Sequence, residues 1–124
     1  NDVGIILGSP LAASLLAGPE PVFHGDNEDT SNSDGTLTPS AIGGPTDPEV
    51  IPYAHRMWEW CQDRELNIRD LAMQFVLNAP VKGNGIVLTG SANLQQFHEV
   101  YESATTDVSE TVWQEFESEF GVRN

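Results

Sequence analysis

One cysteine, one lysine and no long apolar run are the first things this sequence of 124 residues is short of. A lone Cys61 excludes an internal disulfide and a cysteine-built metal cage. Its neighbours are aromatic and helix-patterned, so it reads as a small buried apolar side chain. No apolar stretch approaches the roughly 20 residues that a bilayer-crossing helix needs. The first residues carry neither a basic region nor a small-residue cleavage site, so no secretory leader is expected. A soluble protein of the reducing cytoplasm is the expectation that follows.

Positive charge is equally scarce. Five basic residues stand against 19 acidic ones, for a net charge of −14 and a pI near 4.2. Lys82 is the only lysine. Such a surface repels phosphate backbones and anionic lipid heads, which argues against a nucleic-acid or membrane role. Hydrophobic residues make up 39%, enough for a core but unevenly placed.

The most informative stretch is Val3-Gly4-Ile5-Ile6-Leu7-Gly8-Ser9-Pro10-Leu11, continuing to Leu16. It reads as a strand apolar on both faces, ending in a tight Ser-Pro-Leu turn. Strands of that kind lie inside parallel sheets. Only Gly85-Ile86-Val87-Leu88-Thr89 offers a second good strand. Two strands alone are a marginal sheet, so the pattern points to the end of a larger α/β protein.

Residues 18–46 form a long polar, acidic segment rich in Gly, Pro, Asp, Ser and Thr, read as a surface loop. Within it, Asn32, Asp34, Gly35 and Leu37 match part of an EF-hand calcium loop. Thr30 and Ala41 replace the first Asp and the bidentate Glu, so a solvated acidic loop is the better reading. His24 with Asp26 could chelate a metal weakly, but two ligands in a loop are poor evidence of a site.

Helical patterning then resumes. Asp47, Pro48 and Glu49 form a start signal. Val50, Ala54, Met57, Trp58 and Cys61 share one face, with Tyr53 and Trp60 at its edge. A second helix follows Asn67, carried by Ile68, Leu71, Ala72, Phe75 and Val76, and stops near Asn78-Ala79-Pro80. A third begins with the capping pair Asn93 and Gln96, turning Leu94, Phe97 and Tyr101 inward. The last starts near Ser109, buries Val112, Trp113, Phe116 and Phe120, and ends at Gly121. Strands alternating with helices predict a βαβ crossover in a parallel sheet.

Three collinear segments resemble one family. Residues 4–17 resemble the seventh strand and following loop of aldo-keto reductases, and Leu71-Ala72-Met73-Gln74-Phe75-Val76-Leu77-Asn78 looks like their helix before the eighth strand. Val87-Leu88-Thr89-Gly90-Ser91-Ala92-Asn93-Leu94-Gln95-Gln96-Phe97, with Glu99, resembles the eighth strand, turn and cofactor-contacting helix. The likeness is best to the branch that oxidises sugars such as galactose and fucose. It implies that residues 1–124 are the C-terminal part of a (β/α)8 TIM barrel, with its site at the carboxyl ends of the strands.

By that resemblance Ser9, Pro10 and Leu11 would line the pyrophosphate and nicotinamide side of NAD. Gly90 and Ser91 would lie beside the adenosine ribose, and Gln96 and Glu99 would meet the adenosine half. Members that prefer NADP carry a lysine and an arginine where this chain has Gly90 and Gln96. Without those cations a 2′-phosphate is poorly held, so NAD is favoured, with NADP possible. Val100 replaces an adenine-binding asparagine, and Gly8 stands where many members stack an aromatic ring. The catalytic Asp, Tyr, Lys and His belong to the first half of the barrel. Neither Lys82 nor His24, His55 or His98 takes a place among them, and no residue here is assigned a catalytic or metal-binding role. The implied partners are the missing N-terminal barrel portion and a sugar or aldehyde substrate. The alternative is a non-catalytic α/β binding or assembly module derived from the barrel's end.

Overall fold

The computed structural model describes residues 4–12, 15–21, 49–80 and 85–121. Among them the order is β1 (Ile5–Gly8), α1 (Val50–Gln62), α2 (Ile68–Leu77), β2 (Gly85–Leu88), α3 (Leu94–Thr105) and α4 (Glu110–Phe120). This is a small α/β arrangement of four helices and a two-stranded parallel sheet. Most of the acidic segment, including His24, Asp26, Asn32 and Asp34, lies outside the described residues, as do Asp47, Pro48 and Lys82.

The two apolar strands pair as their composition requires. Ile5 is in register with Gly85, Ile6 with Ile86, Leu7 with Val87 and Gly8 with Leu88. Side chains alternate between sheet faces, so Ile6, Ile86 and Leu88 share one face while Leu7 and Val87 share the other. Leu7 and Val87 are half-buried. Ile6 and Ile86 are 69% and 63% exposed. That apolar face is open.

The core sits among the helices instead. Trp60, Cys61, Ile68, Leu71 and Trp113 form it, with Leu16, Met57, Leu66, Val112, Phe116 and Phe120 packed around them. Trp60 is therefore a core residue and not the edge of its stripe: α4 covers it, with Phe116 edge-on at 5.3 Å and Phe120 at 6.2 Å between ring centroids. The single-helix periodicity of α1 cannot show that a second helix closes on its flank.

Helix ends follow local chemistry. The Asn67 side chain accepts from Arg69 N–H, and Ser109 accepts from Val112 N–H. Gly121, at φ +69°, ends α4 with its N–H on the Glu117 carbonyl at 2.9 Å. α1 ends in a Schellman turn: Leu66 N–H reaches the Cys61 carbonyl and Glu65 N–H the Gln62 carbonyl, with Glu65 at φ +55°. At the start of α1 the expected cap Asp47 and Pro48 lie outside the described residues. Glu49 is already helical in backbone and makes no side-chain cap.

Two inward faces were expected differently. In α2, Met73 is buried while Phe75 is about half exposed. In α3 the expected inward stripe of Leu94, Phe97 and Tyr101 is turned outward, with Leu94 71% exposed. The side of α3 that meets α2 is instead polar, centred on the fully buried Ser103. Buried Ser103 is satisfied there by Arg69 and Asp70, while the apolar stripe has no covering element among the described residues.

Candidate functional site

Because Gly8 and Leu88 are register partners, β1 and β2 end together, and the loops that follow leave from the same end of the sheet. Parallel pairing thus brings Ser9, Pro10 and Leu11 to the same end as Gly90 and Ser91. Distance in sequence becomes proximity through topology.

The first loop is strained. Ser9 and Ala12 take positive φ of 53° and 47°, and the Ala12 N–H closes the turn on the Ser9 carbonyl at 3.0 Å. A non-glycine residue in that region costs roughly 1–3 kcal/mol and persists only where its surroundings hold it. Pro10 is buried and Leu11 half-buried. The far end of the loop is pinned twice: Trp58 Nε1 donates to the Gly18 carbonyl at 3.0 Å, and Arg69 donates to the Ala17 carbonyl at 3.3 Å. Gly18 has φ +115°, and a Cβ there would meet Asn67 Oδ1 at 3.3 Å. Only glycine fits without strain.

The second loop runs into α3. Gly90 and Ser91 are exposed, and a Cβ on Gly90 would meet nothing within 4 Å. Gly90 therefore has open space in front of it. Asn93 accepts the Gln96 N–H at 2.9 Å, while Gln96 Oε1 accepts the Ala92 N–H at 2.8 Å. The expected capping pair forms, with Gln96 reaching one residue further back than the usual box. It leaves the Leu94 and Gln95 N–H groups without a partner among the described residues. Unpaired donors and the helix dipole together favour an anion or an oxygen-rich ligand here.

Glu99 sits one turn further along, and both its oxygens accept hydrogen bonds. Oε2 takes Arg69 Nη1 at 3.1 Å, and Oε1 takes Gln95 Nε2 at 3.1 Å. Arg69 also donates from Nε to Ser103 Oγ at 2.8 Å, and Ser103 Oγ donates to Asp70 Oδ1 at 2.5 Å. Gln74 Nε2 caps this contact on the Ser103 and Ala104 carbonyls at 2.9 and 3.0 Å. The arginine is only 12% exposed and the glutamate 38%.

The other described arginines lie elsewhere. Arg64 stacks over Trp60 at 3.9 Å and pairs with Glu115, and Arg56 lies over Tyr53 at 5.2 Å. Among the described residues no cluster of three or more His, Cys, Asp or Glu is placed to hold a metal. No described helix is long and apolar enough to cross a membrane.

Sequence reasoning missed Arg69. Its signal was a basic residue in the first turn of a helix, where the dipole disfavours it, so that a specific partner had to be sought. The chain matches no protein-family model, no curated protein and no solved structure.

Proposed function

We propose that this chain is the C-terminal part of an aldo-keto reductase-like (β/α)8 barrel, supplying the last two strands and much of the dinucleotide site. The whole enzyme would transfer hydride between the nicotinamide of NAD and a sugar or other aldehyde or alcohol. The cofactor brings the hydride chemistry. The residues of this chain bind and orient it.

The observation that carries the reading is the open apolar surface. Ile6, Ile86 and Leu88 on the sheet, and Leu94, Phe97 and Tyr101 on α3, all stand more than half exposed. Ordinary monomers rarely expose so many large apolar side chains on regular elements. Further parallel strands and their helices would bury such surfaces, and a barrel leaves no open edge. The strained Ser9 turn and the free N–H groups of Leu94 and Gln95 support a ligand at this end. Among the described residues no unengaged cation stands at the start of α3, which suits a ribose with a free 2′-hydroxyl better than a 2′-phosphate.

The test is a titration of the full-length polypeptide with NADH, read by quenching of Trp58, Trp60 and Trp113. Saturable quenching that NAD competes away is expected. An absence of binding to both NADH and NADPH would overturn the reading.

A further inference from the structure

Arg69 reaches from α2 in two directions. One bond goes to the Ala17 carbonyl in the loop after β1, and two go to Glu99 and Ser103 on α3. Among the described residues its contact with Glu99 is the polar link between α2 and α3 nearest the start of α3. The other such links, through Gln74 and Asp70, fall on Ser103 and Ala104 near the helix's end. The guanidinium is nearly buried, and its planar fork holds three acceptors in fixed directions. Removing it would leave the Glu99 carboxylate without its cation and Ser103 without a donor.

We propose that Arg69 is a positioning residue that sets the two halves of the nucleotide site against each other, holding the Ser9–Leu11 side and the α3 side at one separation. This rests on the reading of the chain as the dinucleotide-binding end of a barrel. The loop half would meet a pyrophosphate and what lies beyond it, while the α3 half would meet adenosine. A ligand spanning both halves gains from their fixed spacing, because the protein does not have to order them on binding. A ligand confined to one half does not.

The experiment compares NAD with adenosine monophosphate by calorimetry on the full-length polypeptide, wild type against Arg69→Met. Wild type should hold NAD more tightly than the monophosphate. In Arg69→Met the monophosphate should weaken too, because it meets the Glu99 side that loses its cation, but NAD should weaken about tenfold more, the loss expected of one charged hydrogen-bonded link. Arg69→Lys, which keeps the charge but not the fork, should fall between, and it carries the same test if the Met variant does not fold. Equal weakening of both ligands would mark Arg69 as a general packing residue and overturn the proposal. So would an unchanged ratio. A wild type that binds neither ligand would overturn the proposal together with the reading beneath it.

Discussion

Phe116 stands edge-on to Trp60, ring centroids 5.3 Å apart at 81°, and so locks α4 onto α1. Phe116 also touches Trp113 and Phe120, at 6.4 and 4.8 Å between centroids. Phe116→Ala should lower stability by about 3 kcal/mol, the scale of removing a large core aromatic. Chemical denaturation checks it. A loss below about 1 kcal/mol would mean α4 is not a structural member of the core.

Glu65 is a backbone liability. It holds the left-handed C′ position of the Schellman turn at φ +55°. Glu65→Gly should raise stability by about 1 kcal/mol, since glycine takes that conformation without steric cost. The same denaturation measurement reads it, as a higher midpoint with an unchanged slope.

His55 gives a pH signature. Its Nε2 lies 2.8 Å from Glu20 Oε1, and its Nδ1 lies 3.6 Å from Glu59 Oε1. The hydrogen bond to Glu20 raises the imidazole pKa above its usual 6.5, desolvation opposes this, and the charges of Glu59 and Glu20 add to the rise. A raised folded-state pKa means the stabilisation is full below pH 6.5 and fades as pH climbs through the folded value. Proton NMR of the ring should show a pKa that falls on Glu20→Gln. No change would show that the Glu20 contact does not persist in solution.

Cys61 is fully buried, and burial pushes its thiol up to about 11, with Arg64 opposing and Asp70 adding to the rise. The neutral thiol should therefore resist alkylation at pH 8 until the protein unfolds. Stability should stay level up to the thiol's ordinary 9.0 and decline as pH rises toward 11. Rapid alkylation of native protein would contradict the burial.

On the proposed reading of the chain, cofactor choice would follow from the lack of cations at Gly90 and Gln96, around the start of α3. Gly90 faces open space, so a lysine side chain fits there. The double variant Gly90→Lys, Gln96→Arg should raise affinity for NADPH relative to NADH by about tenfold, as charge-assisted bonds to a phosphate form. Unchanged preference would count against placing these residues at the ribose.

Much of the fold was legible because its signals are local. The caps at Asn67, Asn93 and Ser109 and the stop at Gly121 each follow from one residue and its neighbours. The parallel pairing of β1 with β2 was legible from the alternation of strands with helices and from strands apolar on both faces, although the partners lie 80 positions apart, as Ile5 and Gly85 do. What failed depended on neighbours. Trp60 looked like an edge because α4's arrival is not written in α1. Leu94, Phe97 and Tyr101 looked inward because apolar periodicity says that a face wants cover, not that cover is present in these 124 residues. The candidate site residues rest on resemblance alone and remain a proposal. Arg69, which bonds to both Ala17 and Glu99, could not be picked out from sequence because its partners are 30 and more positions away.

The central claim is that this sheet is completed by polypeptide beyond these 124 residues, and gel filtration with light scattering tests it most directly. The isolated chain, with Ile6, Ile86, Leu94 and Phe97 uncovered, should run as self-associated or expanded species. A compact monomer of 13.5 kDa would contradict the account and make the chain a self-standing α/β module.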